Sequence, residues 1–183
     1  MLLERRSARV LAGPGPDDGA LDLILAAAMR APDHGRLRPW RFVVIRGAAR
    51  ERLGAALADH LRASEPQASA AALERERRKA QRAPVIVAVA ARVQPEARVP
   101  PHEQVLSAAA AAHAMLLAAY ALGFNAVWKT GSGAYADSVK TALGLEVTDS
   151  LVGFIYIGSE PGERARTPRE DWRALATELD PAP

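Results

Sequence analysis

Residues 103–122 form a run of helix-forming residues, rich in alanine, that is apolar nearly all the way round. A helix with no polar face has to be buried on more than one side. Its longest apolar stretch, about residues 108–121, is broken by His113 and made of small residues, and is too short to span a bilayer. A central core helix is expected instead, with no membrane partner. Aromatic residues make up only 5% of the chain, so alanine fills much of the apolar fraction. Each alanine buries little area, and a large helix–helix or subunit interface is expected to compensate.

The remaining elements follow from periodicity. Leu21, Ile24, Leu25 and Ala28 recur at helical spacing over residues 18–29, after turn residues Gly13, Pro14 and Pro16, with Asp17 or Asp18 available as the cap. Residues 40–46 are β-branched and aromatic and read as a strand, and residues 84–93 read as a buried strand. Residues 124–129 and 150–158 are further strands. Helices are expected at 48–61, 67–82, 136–143 and near 171–179, and a Pro-rich loop at 94–101. Gly123 follows the long helix as a C-cap. Four strands and six helices in mixed order, with no repeat and no linker, imply one α+β domain over residues 1–183, with helices layered on a modest sheet.

Charge and cysteine content narrow the function. A net charge of +3, scattered along the chain, makes no basic stripe for nucleic acid. The absence of cysteine excludes disulfides, Cys-ligated metals and thiol catalysis. His34, His60, His102 and His113 lack metal-ligand spacing. Glu103 after His102 reads as an acid matched to a helix N-terminus. The first residues lack the apolar run of a secretory leader, so a cytoplasmic location is expected.

Three segments can carry chemistry. In Arg5-Arg6-Ser7-Ala8-Arg9, guanidinium forks and a hydroxyl can converge on a phosphate if the stretch is a helical turn or an extended arm. A solvated basic N-terminus is the plainer alternative. Arg30-Ala31-Pro32-Asp33-His34, followed by Pro39-Trp40, is a polar loop between helix and strand, where ligand contacts concentrate. A simple turn capped by Asp33 has the same appearance. From Gly123 to Gly133 a strand carrying Trp128, Lys129 and Thr130 runs into a Gly-rich turn, which permits close approach to a flat ligand. It is not a dinucleotide-binding fingerprint.

In this order the three segments resemble the nitroreductase family, and most of all its short NAD(P)H nitroreductase subgroup. The resemblance covers roughly residues 4–158. It implies an α+β three-layer fold with a mainly antiparallel sheet flanked by helices, and an intertwined homodimer binding flavin mononucleotide (FMN) at its interface. It further implies that Arg5, Arg6 and Ser7, helped by Arg9, hold the phosphate and ribityl end, and that Arg30 and His34, from the same or the partner subunit, line the flavin site. Trp128, Lys129 and Thr130 would contact the flavin from the strand end. Ala118, Ala119, Tyr120, Ala121, Leu122 and Gly123 would lie near the nicotinamide cofactor. Many members read Asn-x-Gln-Pro-Trp where this chain has Arg36-Leu-Arg38-Pro-Trp. Members often add a C-terminal basic residue to the phosphate site, a role to which Arg164, Arg166 and Arg169 do not align.

The implied activity is electron transfer from NAD(P)H to a flat, electron-poor small molecule, a nitroaromatic or quinone, in ping-pong order. No side chain is singled out as catalytic, because the cofactor carries the chemistry. A flavin-binding or nucleotide-sensing protein without turnover would present the same residues.

Overall fold

Buried β-branched residues and alanines build a four-stranded sheet in a computed structural model that describes residues 2–162 and 170–179. The strands are β1 (Trp40–Arg46), β2 (Val85–Ala91), β3 (Asn125–Lys129) and β4 (Ser150–Gly158), in the spatial order β1-β2-β4-β3. Every neighbouring pair is antiparallel. All seven residues of β2 are buried, as its continuous apolar run requires of a central strand covered on both faces.

The two faces carry separate cores. Val85, Val87, Val89 and Ala91 project to one side, where α4 (Pro101–Ala121) and α1 (Asp18–Ala28) pack. Ile86, Ala88 and Ala90 project to the other, covered by α2 (Ala49–Ser64), α5 (Ser132–Tyr135) and α6 (Asp137–Ala142), with α3 (Ala70–Lys79) lying against α2. The α+β three-layer expectation is met. Helix α4 has the length and apolarity to cross a membrane. Here it packs on all four strands and on α1, and Ala108, Ala111, Ala112, Met115 and Ala119 are buried.

Helix ends follow local chemistry. The Asp17 carboxylate accepts from Ala20 N–H at 2.8 Å and starts α1. The Ser69 hydroxyl accepts from Ala72 N–H at 3.2 Å and starts α3. That cap shortens the helix expected from residue 67. At the end of α4, Gly123 takes φ +86° while Phe124 N–H donates to Ala119 at 2.9 Å and Gly123 N–H to Tyr120 at 3.1 Å. This closure satisfies carbonyls that would otherwise be orphaned.

The helix expected at 136–143 is α6, which the extended Ala136 (φ −84°, ψ 125°) separates from the short α5 ahead of it. One expectation needs correction. The helix expected near 171–179 is only a 3₁₀ turn over Trp172–Ala174. Trp172, Leu175 and Leu179 are all exposed, so among the described residues no apolar surface supports a longer helix there. Arg164, Arg166 and Arg169 lie outside the described residues.

Asp149, just ahead of β4, is 1% exposed. Its carboxylate accepts two bonds from Arg92, both at 2.9 Å, and one from Glu146 N–H at 3.0 Å. Hydrogen bonding from Arg92 holds its pKa below the ordinary 3.8, against the opposing effect of burial. A carboxyl with a lowered folded pKa stabilises fully above its unfolded pKa, and loses that contribution as pH falls through the folded value. Asp149→Ala should therefore cost about 2 kcal/mol at neutral pH, the scale of charged hydrogen bonds. Thermal denaturation against pH should show the difference from wild type shrinking at acid pH, below 3.8.

Candidate functional site

The basic N-terminal segment is an extended arm beside β3. Ala8 N–H donates to the Ala126 carbonyl at 3.2 Å, and Ser7 forms a parallel bridge with Ala126. Further along, Ala12 and Ser159 exchange bonds of 2.7 and 2.9 Å. An extended chain sends successive side chains to opposite sides. Ser7 and Arg9 are exposed, Ala8 is buried, and Arg5 and Arg6 are half-buried. The Arg6 guanidinium turns inward and binds both carboxylate oxygens of Glu160, with Nη1 donating at 3.0 Å. Glu160 also accepts from Asn125 Nδ2 at 2.8 Å. These hydrogen bonds hold the Glu160 carboxyl below its usual range and push the Arg6 guanidinium up.

Between arm and sheet lies a cavity of about 300 Å³ lined by Ala8, Arg9, Arg82, Val127, Lys129 and Tyr156, with Val10 and Leu11 completing it. Strand alternation in β3 turns Val127 and Lys129 toward this cavity. Arg82 enters from the turn after α3. The Tyr156 hydroxyl is pushed up to about 12 by burial, so it stays protonated and able to donate at neutral pH. Three cations and a phenol around one open cavity suit an anionic ligand with a flat or apolar part. Arg82 and Tyr156 were not singled out from the sequence. Arg82 ends the stretch 67–82, whose charged run at 74–79 reads as a solvated face, and Tyr156 lies in the apolar strand 150–158. The pairing of β3 with β4 brings Tyr156 beside Lys129, and the pairing of β2 with β4 brings Arg82, just ahead of β2, to the same place.

Trp128 projects to the other face, toward α4. Its Nε1–H donates to the Val152 carbonyl at 3.2 Å. That carbonyl is available because β4 bulges: Val89 pairs Gly153 and Ala90 pairs Leu151, leaving Val152 as the extra residue. Thr130 is exposed at the strand end, before Gly131 at φ +126°.

The loop after α1 is fixed from below. Ser107 of α4 accepts from Trp40 Nε1–H at 2.9 Å and donates to the Pro32 carbonyl at 2.6 Å. The Asp33 carboxylate accepts from Leu37 N–H at 3.1 Å and Arg38 N–H at 2.9 Å. This clamp holds Arg36 and Arg38 at φ +54° and +50°, a conformation that asparagine tolerates better than arginine. His34 Nδ1 lies 2.7 Å from Glu103 Oε2, so Glu103 binds His34 as well as sitting in the first turn of α4. His34 stays largely exposed, on the rim of a shallow cavity of about 260 Å³ with Pro32, Glu103, Leu106, Ser107 and Ala110. Arg30 is exposed one turn earlier.

Strand order decides how these parts relate. The Arg30–His34 loop leads into β1 and Lys129 ends β3, at opposite edges of the sheet. Three inter-strand spacings separate those edges by about 14 Å. A single chain therefore gathers Arg9 and Lys129 in one cavity, with Ser7 on the same arm, and leaves Arg30 and His34 at the far edge. Among the described residues no group of three His, Asp or Glu could hold a metal.

Comparison with known proteins agrees with this geometry. The chain matches the nitroreductase family over residues 2–159. It is 40% identical over 159 residues to a protein of Escherichia coli K12 named "Putative NAD(P)H nitroreductase YdjA", covering 87% of this chain and 86% of that protein. It is 35% identical over 167 residues to a "Putative NAD(P)H nitroreductase" of Haemophilus influenzae, covering 90% of each. Among solved structures, a nitroreductase-like protein of Bacillus cereus superposes with a TM-score of 0.79 at 22% identity, covering 97% of this chain and 93% of the other. A nitroreductase from Desulfovibrio desulfuricans, solved in complex with FMN, superposes with a TM-score of 0.73 at 30% identity, covering 98% and 95%. An antiparallel sheet between helical layers, a basic arm along its outer strand and a match spanning nearly the whole arm-to-β4 region make this chain a member of the nitroreductase family.

Proposed function

We propose that this protein is a single-domain, FMN-dependent oxidoreductase of the cytoplasm that works as a homodimer. It would move electrons from NAD(P)H to a flat, electron-poor acceptor such as a nitroaromatic or a quinone. The observation that carries this reading is the cavity shared by Arg9, Arg82 and Lys129, whose cations and apolar wall fit a phosphorylated flat cofactor. When bound, FMN supplies a two-electron relay that serves donor and acceptor in turn, in ping-pong order.

The chain's residues hold and screen that group. Arg5, Ser7 and Arg9 take the phosphate and ribityl end, with Arg6 contributing through the arm it anchors. Lys129 and Thr130 take the ring from the end of β3, with Trp128 contributing only through its main chain because its side chain faces α4, and a cation such as Lys129 favours the negative charge that a reduced ring carries. Ala118, Ala119, Tyr120, Ala121, Leu122 and Gly123 line the approach for the nicotinamide. Arg30 and His34 of the partner subunit close the site from the opposite side, which answers their place at the far sheet edge. The outer face of α4 supplies the dimer contact, where Leu106 is 61% exposed.

Purified protein should be yellow, with a flavin spectrum that NAD(P)H bleaches under anaerobic conditions. Added quinone should restore the colour and sustain steady NAD(P)H oxidation. A colourless protein that takes up no FMN would refute the reading. Bound FMN without turnover would leave a flavin-binding sensor in its place.

A further inference from the structure

The arm that presents Arg5, Ser7 and Arg9 is held from behind by one carboxylate. Glu160 follows the last strand, and both its oxygens are used: Oε1 by Arg6 Nη1 at 3.0 Å, Oε2 by Arg6 Nη2 and by Asn125 Nδ2 at 2.8 Å. Arg9 N–H also points at Oε1, at 3.5 Å. The Arg6 and Glu160 side chains are 16% and 11% exposed, so this is no solvated surface pair. A two-pronged guanidinium–carboxylate contact fixes orientation as well as distance. It ties the arm at residue 6, β3 at residue 125 and the exit of β4 at residue 160 into one cluster. Main-chain bonds at Ala8 and Ala12 pin the same arm on either side of Arg9.

We infer that Glu160 is a positioning residue for the phosphate end of the site: by gripping Arg6 on the inner side of the arm, it sets where Ser7 and Arg9 stand on the outer side. This rests on the FMN reading above. Arg6 then serves the cofactor through the arm rather than by touching it. Alternation in an extended chain supports this division, since residue 6 and residues 7 and 9 cannot all face the same way without a twist in the arm.

The sign of the effect separates positioning from simple charge. If Glu160 acted only as a nearby negative charge, removing it would tighten binding of a phosphate. If it positions the arm, removing it weakens binding, and only for ligands that carry the phosphate. The test is Glu160→Gln in the full chain after flavin removal, titrated with FMN and separately with riboflavin, which has the same ring and no phosphate. FMN affinity should fall by about tenfold, the scale of one charge-assisted bond, while riboflavin affinity stays at the wild-type level. Unchanged or tighter FMN binding, or an equal loss for both ligands, would overturn the inference. Arg6→Lys keeps the charge and loses the two-pronged grip. It should show a smaller loss confined to FMN, and it decides the matter alone if Glu160→Gln does not fold. A wild-type protein that binds neither flavin would overturn the underlying FMN reading instead.

Discussion

Replacing Gly153 with alanine should destabilise the protein by about 3 kcal/mol or more, the combined scale of a strained backbone and an overfilled core. Gly153 sits at φ +152°, a conformation that L side chains rarely adopt. A Cβ there would meet Trp128 Cδ1 and the Lys129 carbonyl, both at 2.8 Å, and would press harder still on Trp128 Nε1. The indole cannot swing away freely, because its Nε1–H is bound to the Val152 carbonyl that the bulge exposes. The pressure therefore falls on the end of β3, where Lys129 and Thr130 are proposed to meet the flavin. Thermal denaturation should show the loss of stability, and absorbance should show less flavin retained by protein that still folds. Gly19→Ala is the control: Gly19 lies in the first turn of α1 with only Asp17 Oδ1 nearby, at 3.8 Å. Alanine there should stabilise by roughly 0.5 kcal/mol. A Gly153→Ala protein as stable and as yellow as wild type would remove the bulge from this account.

The elements of the sheet were legible because their signals are local. The apolar run of β2 marks a doubly covered strand, the helix that is apolar nearly all round marks α4, and Asp17 and Gly123 mark helix ends through bonds to near neighbours. The site was legible only as a set of segments. Arg5, Arg6 and Ser7 read as one cluster, since nothing in that stretch says it will lie extended along Ala126, and only the extended form turns Arg6 inward to Glu160. Trp128 and Lys129 read as neighbours on one ligand, yet strand alternation sends them to opposite faces. Arg82 and Tyr156 went unnoticed because their role depends on strand register, set by residues distant in the chain. The Trp40–Ser107–Pro32 relay and the His34–Glu103 contact share that origin: each joins residues that local patterns treat independently.

Leu106→Glu should convert the protein to a folded monomer that no longer oxidises NAD(P)H. On α4, Leu106, Ala110, His113 and Leu117 recur at helical spacing on the side away from the sheet, while Ala108, Ala111, Ala112 and Met115 point inward. Leu106 is 61% exposed in the single chain, so a glutamate there meets water and leaves the fold intact. In a dimer built on this face the same glutamate would be an unpaired buried charge, costing about 3 kcal/mol or more and weakening association more than a hundredfold. Light scattering across a concentration series would report mass, and circular dichroism would verify that the monomer is folded. The same change should abolish turnover even though Leu106 is remote from Lys129. The edge that carries Arg30 and His34 lies about 14 Å from the edge that carries Lys129, three strand spacings away, and in the proposed dimer the second copy brings one edge to the other. A Leu106→Glu monomer that kept full activity would show that one chain suffices, and Arg30 and His34 would then have no part in the flavin site. A variant that stayed dimeric would place the subunit contact on some other surface of the molecule.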